Sequence, residues 1–125
     1  MKYYLGIIGS RRRNSPEDKE LVRKALLMLI DTEGRPVLIS GGCPKGADRF
    51  AEELAKELNL DIIIHYPDLS GCVTKNDFRR EYYRRNLLVA ANADVLIACV
   101  ASDRKGGTEH TIKNYLKKKE NLILV

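Results

Sequence analysis

A chain of 125 residues has room for one domain around a single core, and not for a catalytic domain with a separate substrate domain. With 44% hydrophobic and 31% charged residues it has the composition of a globular rather than a disordered protein, and no apolar run approaches the length a bilayer requires. The net charge of +5 favours an anionic partner, whether nucleotide, nucleic acid or acidic protein.

Met1-Lys2-Tyr3-Tyr4 leads straight into a short apolar run rather than a secretory signal, which points to the cytoplasm and away from membranes. Tyr4 to Ile8, ending at Gly9, is long enough for a buried strand and too short for a helix. Ser15-Pro16-Glu17-Asp18 supplies a helix start with a cap, a proline in the first turn and two acids at the positive end of the dipole. Leu21, Val22, Ala25, Leu26, Leu29 and Ile30 continue that helix at 3–4 spacing. Pro36 to Ser40 reads as a second strand, broken by Gly41-Gly42, and Ala47, Phe50, Ala51, Leu54, Ala55 and Leu58 mark a second amphipathic helix.

Asp61 to His65 makes a third strand, and a loop follows around Pro67 to Asn76. A helix from about Asp77 to Asn92 leads to a strand from Asp94 to Val100. A helix from Thr108 to Lys119 and a strand from Leu122 to Val125 complete the order. Strands that alternate with helices and read as near-continuous apolar runs indicate parallel pairing with both faces covered. The expected fold is α/β: a three-layer Rossmann-like sandwich whose five-stranded parallel sheet has the order 3-2-1-4-5. Ligands of such folds sit at the carboxyl ends of the strands beside the reversal between the first and fourth strands. The loops Gly9 to Asn14 and Ala101 to Thr108 fall there.

Three constellations then stand out. Gly9-Ser10-Arg11 leaves the first strand, where Arg11-Arg12-Arg13 is either a solvated run or a source of anion-binding charge. Gly41-Gly42-Cys43-Pro44-Lys45-Gly46-Ala47-Asp48 is a glycine-rich strand-to-helix loop that matches neither the Walker A pattern nor the dinucleotide fingerprint. Its Asp48 is either a dipole partner or an acceptor for ribose hydroxyls or a base edge. Arg85-Asn86 precedes the fourth strand, and Gly106-Gly107-Thr108 follows it. There a glycine pair and a helix start offer amide groups, and Arg85 offers a planar donor fork, to one anion. Thr108 could equally be a plain N-cap.

Glu109 and His110 are acid–base candidates or surface residues. His65 reads as structural, and Cys43 as an unreactive thiol. Lys117-Lys118-Lys119 reads as a solvated complement to the last helix's dipole. Cys43, Cys72 and Cys99 cannot all pair within one chain and show no metal-ligand spacing, so reduced thiols and no metal are expected, and no cofactor is implied. Tyr82-Tyr83 beside Arg84 suggests stacking on nucleic acid or a place in a core or interface.

In order along the chain, Gly9-Ser10-Arg11, Ser40-Gly41-Gly42 with Lys45-Gly46-Ala47-Asp48, Arg85-Asn86 and Gly107-Thr108 resemble the SLOG superfamily, which includes the DNA-processing protein DprA and the Lonely Guy proteins. The resemblance is strongest to its small YspA-like branch and spans nearly the whole chain. It implies a Rossmann-like fold, frequent homodimers and a pocket for a nucleotide or nucleotide-derived ligand. The Lonely Guy phosphoribohydrolases cleave an N-glycosidic bond of a nucleoside monophosphate, and Arg85 falls at the position of their catalytic arginine. Where they carry Gly-Thr-x-Glu-Glu, this chain has Gly107-Thr108-Glu109-His110-Thr111. The glutamate is thus displaced by one residue, about 100° around a helix.

The leading expectation is therefore a sensor or binding protein for a phosphorylated nucleoside derivative, with phosphate on Gly106, Gly107 and Thr108, steadied by Arg85 and Arg11. Ser10, Gly42 and Asp48 would face the ribose or base. The alternatives are a nucleotide N-glycosidic hydrolase using Arg85 with Glu109 or His110, and DprA-like nucleic-acid binding. The apolar last strand, expected at a sheet edge, predicts cover from a helix layer and a second subunit.

Overall fold

The computed structural model describes residues 2–125; Met1, which begins the expected leaderless start, lies outside them. The order is β1 (Tyr4–Gly9), α1 (Pro16–Glu33), β2 (Val37–Ser40), α2 (Ala47–Leu58), β3 (Ile62–Ile64), α3 (Lys75–Asn92), β4 (Val95–Cys99), α4 (Gly107–Leu116) and β5 (Leu122–Leu124). All four strand pairs are parallel, and the sheet runs β3-β2-β1-β4-β5. This is the α/β, Rossmann-like arrangement expected, with the reversal of winding between β1 and β4.

Alternation along the strands divides the core in two. Leu5, Ile7, Leu38, Ile97 and Cys99 face α1 and α2, packing with Val22, Leu26, Phe50 and Leu54. Ile8, Ile39, Leu96 and Ala98 face α3 and α4, packing with Val89, Ala90, Ile112 and Tyr115. Leu26 and Leu54 are fully buried, so truncating either to alanine costs about 2–5 kcal/mol. Tyr115 is buried with its hydroxyl satisfied, donating to Asp94 O at 2.7 Å and Asn121 O at 3.1 Å.

The helix ends explain where prediction and structure differ. α3 begins at Lys75, two residues before the expected Asp77, because Thr74 and Asp77 form a capping box. α4 stops at Leu116, and the lysines beyond it divide. Lys117 and Lys118 are exposed. Lys119, expected to stay solvated, instead reaches the neighbouring helix and donates to Ala90 O, Ala91 O and Ala93 O at 3.2, 2.7 and 2.6 Å. It thereby caps the carboxyl end of α3, whose own last turn has no basic residue.

His65 and Asn92 lie 3.0 Å apart through Nε2 and Nδ2, tying the end of β3 to the end of α3. β5 is an edge strand: Leu122 packs on the α3–α4 side and Ile123 on the α1–α2 side, while Leu124 is 47% exposed. All three cysteines are free. Among the described residues no helix is long and apolar enough to cross a membrane.

Candidate functional site

At the carboxyl ends of β1, β2 and β4 lies a cleft of about 710 Å³, within the size range of small-molecule sites. α3 forms one wall. Its buried residues, Asn86, Val89 and Ala90, all lie in its last two turns, so its first three turns project past the sheet and flank the opening. Ser10, Arg11 and Arg12 from the β1–α1 loop, Gly41, Cys43 and Asp48 from β2–α2, and Lys105 to Thr108 from β4–α4 supply the rest.

Arg85 sits at the centre of the bonding. Its Nη1 donates to Gly41 O at 2.5 Å and its Nε to Asn86 Oδ1 at 2.9 Å. Asn86 is buried and passes the connection on, its Nδ2 donating to Gly107 O at 3.3 Å. The guanidinium is thus joined through one amide side chain to the first turn of α4. Gly41 leaves room for this packing: a Cβ there would stand 2.9 Å from Arg85 Cδ and Nη1 and 3.0 Å from Asp48 Oδ2, and would displace both side chains.

The three arginines after β1 divide by role. Arg13 pairs with Asp18 and donates to Val100 O and Val125 O, a structural assignment. Arg12 spans to the β4–α4 loop, where it grips Asp103 with two bonds of 2.9 and 2.7 Å. Arg11 turns into the cleft, with its guanidinium carbon 5.7 Å from the centre of the Tyr82 ring; that of Arg85 lies 5.6 Å from the same ring. The neighbouring Cys43 sulfur raises the pKa of Arg11 most, burial opposes it and Tyr82 adds to the rise, so Arg11 is held charged.

Asp48 is the one carboxylate among the cleft-lining residues. Cys43 N donates to its Oδ2 at 3.0 Å. Burial pushes its pKa upward, against the Cys43 and Gly41 amides and the Arg85 charge, which favour the ionised form. A desolvated acid facing an arginine in a cleft is characteristic of functional sites.

α4 opens on Gly106, which adopts φ 119° as the N-cap, and no side chain caps the helix. Thr108 is therefore the second helical residue, not the N-cap, and lines the cleft together with Gly106 and Gly107. An uncapped helix start presents amide donors and the positive end of a dipole.

Of the residues singled out in the sequence, Gly9, Ser10, Arg11, Gly41, Asp48, Arg85, Asn86, Gly106, Gly107 and Thr108 line this cleft. Gly9 also serves packing, since a Cβ there would lie 2.8 Å from those of Ala47 and Cys99. Gly42, Lys45, Glu109 and His110 do not line it. Gly42 faces Tyr66, and Lys45 is exposed. Glu109 is gripped by Arg104 through bonds of 2.8 and 2.9 Å. His110 stacks on Tyr83 with ring centres 3.9 Å apart, and burial, then Lys117 and Lys113, lower its pKa and favour the neutral ring.

Lys75, Phe78 and Arg79, which no motif marks, also line the cleft, and Tyr82 stands at the site rather than in the core. The signal was present as a 3–4 spacing through Phe78, Tyr82, Arg85 and Val89. Among the described residues no group of three or more histidine, cysteine or acidic side chains could hold a metal ion. Comparison with family models, curated proteins and solved structures gives no match for the chain, so the cleft's own geometry carries its functional reading.

Proposed function

We propose that the protein binds a phosphorylated nucleoside derivative and acts as a sensor or binding protein of the kind the SLOG resemblance implies. The observation that carries this reading is the meeting of Arg11 and Arg85, from distant segments, on the single ring of Tyr82, with Arg85 joined through Asn86 to the uncapped start of α4. In this reading the phosphate accepts from the Gly107 and Thr108 amides and the Thr108 hydroxyl, and the arginines supply charge. Asp48 accepts from ribose hydroxyls or a base edge.

Hydrolysis of the glycosidic bond has weaker support, because Glu109 is engaged by Arg104 and His110 is stacked on Tyr83, and neither acid–base candidate lines the cleft. Mass spectrometry of the small molecule that copurifies, followed by calorimetric titration with nucleoside monophosphates, tests the proposal. Binding without release of free base is the expected result, and release of base would establish the enzyme reading. Absence of any nucleotide binding would overturn both.

A second reading, single-stranded nucleic-acid binding, is favoured by one observation. A shallow hollow on the outer face of α3, lined by Asn76, Arg79, Arg80, Tyr83, Arg84 and Leu87, shares Arg79 and Tyr83 with the cleft. Basic and aromatic residues thus continue from one to the other. Steeply salt-dependent oligonucleotide binding is its signature, and no binding at low salt removes it. A homodimer also belongs to the proposal, with the β5 edge and its exposed Leu124 covered by the second copy; a monomer in sedimentation analysis at micromolar concentration would contradict it.

A further inference from the structure

The cleft follows the axis of α3. Lys75, Phe78, Tyr82, Arg85 and Val89, spaced three or four apart, form one stripe of that helix, widened by Arg79 and Asn86, and line the cleft along its length. At 1.5 Å per residue, Arg79 lies about 9 Å and Lys75 about 15 Å along the axis from Arg85. Positive charge therefore stands in two groups. Arg11 and Arg85 stand over Tyr82, Lys75 and Arg79 at the mouth, and Phe78 adds aromatic surface between them.

The mouth pair lacks partners. On α3, Arg80 pairs with Asp77 and Arg84 with Glu81. Asp77 Oδ2 is further committed to the Val73 and Thr74 amides. Among the described residues, no carboxylate lies within 4.0 Å of Lys75 or Arg79. Their placement is also unfavourable for the free protein. Both lie in the first turns of α3, where the macrodipole disfavours cations, and as like charges four residues apart they repel each other. A single phosphate on α4 and Arg85 gives this pair nothing to neutralise.

We infer that the natural ligand carries a second anionic group, separated from the first phosphate by an organic spacer and seated on Lys75 and Arg79. A nucleoside bisphosphate or a linear dinucleotide has this chemistry. The inference rests on the nucleotide reading above and adds the charge layout of the ligand. Phe78, 36% exposed, is positioned to pack against the spacer.

Titration calorimetry of the whole chain with adenosine and guanosine series tests it, using the 5′-monophosphate, the 5′-diphosphate and the 3′,5′-bisphosphate of each. The bisphosphate of the preferred base is expected to bind at least tenfold tighter than its monophosphate, with the diphosphate gaining less. In a Lys75→Ala/Arg79→Ala double variant that advantage disappears, the ratio of bisphosphate to monophosphate affinity falling to about one whatever the monophosphate affinity itself does. Circular dichroism verifies that the variant is folded.

Equal affinity for mono- and bisphosphate, an equal gain for the diphosphate, or an advantage that survives in the variant overturns the inference and leaves the nucleotide reading standing. If no member of either series binds, the nucleotide reading itself fails, and the inference with it.

Discussion

The four helices begin in two different ways. α1 and α3 start on complete capping boxes, Ser15 with Asp18 and Thr74 with Asp77. α2 and α4 start on glycines of positive φ, Gly46 and Gly106, with no side-chain cap. A boxed start has already satisfied its free amides and placed a carboxylate on its positive end, so it repels an anion. Both glycine starts open towards the carboxyl ends of the strands, yet they differ from each other. In α2, Asp48 occupies the first turn and accepts from Cys43 N. In α4 the first-turn acid, Glu109, is drawn aside by Arg104. Only α4 thus offers an unopposed positive end; Arg85 is joined to it through Asn86, while the Arg85 guanidinium and Arg11 stand beside the Gly41–Cys43 loop. The contrast separates helix starts that hold the fold from one that is free for a ligand.

The largest expected effect comes from Arg85. Hydrogen bonds to a charged group contribute about 1.5–3 kcal/mol, so Arg85→Ala should lower nucleotide affinity about 10- to 100-fold. Arg85→Lys keeps the charge but loses the planar fork and should fall in between. The alanine variant also leaves Asn86 Oδ1 without its donor, so a lower melting temperature accompanies the loss of affinity. Unchanged affinity in a folded Arg85→Ala protein would reduce the site to the end of α4 alone.

Asp48 gives the next effect and reverses the usual sign. Its folded-state pKa is raised, first by burial. The contribution to stability is therefore fully present below the ordinary carboxylate range and is lost as pH rises through the folded-state value. Above the ordinary carboxylate range, where the unfolded chain is ionised, the buried position therefore costs stability. Asp48→Asn should accordingly melt higher than the native protein at pH 7, and the gap should narrow as pH falls towards the carboxyl range. Nucleotide affinity should drop about tenfold, as one of the two carboxyl oxygens that can accept from the ligand is replaced by an amide NH2. A variant neither more stable nor weaker in binding would make Asp48 an ordinary helix-start residue.

Much of this arrangement is legible in the chain because it depends on local pattern. The apolar runs of β1, β2 and β4 and the cap at Ser15 follow from neighbouring residues, and the strand order follows from them through handedness. Asn86 beside Arg85 among apolar residues signals a buried polar link. What was not legible depends on distance. Arg104, itself at φ 53°, removes Glu109 from the cleft through a loop conformation that spacing cannot specify. Lys119 finds its carbonyls in the preceding helix, 26 to 29 residues away. Gly42 and Lys45 share a motif with Gly41 and Asp48, yet the loop's turn takes both away from the cleft. Lys75 belongs to α3 only because the Thr74–Asp77 box carries the helix two residues further back than its apolar spacing indicates.

The smallest effects test the contrast most directly, through two hydroxyl residues at helix starts. Ser15 accepts from Asp18 N at 3.1 Å and closes the box on α1; Thr108 caps nothing within its own helix. Ser15→Ala should cost about 1 kcal/mol of stability and leave nucleotide affinity unchanged, since its helix end does not line the cleft. That loss should itself depend on pH. Burial raises the pKa of Asp18, but bonds from Ser15 and Arg13 outweigh it and leave the value lowered. The stabilisation is thus present above the ordinary carboxylate range and fades as pH falls through the folded-state value. Thr108→Ala should do the reverse, with a melting temperature close to native and affinity reduced several-fold by loss of one hydroxyl donor. If both variants lose stability and neither loses affinity, the glycine start of α4 is only a different way of beginning a helix, and the division between structural and ligand-facing starts fails.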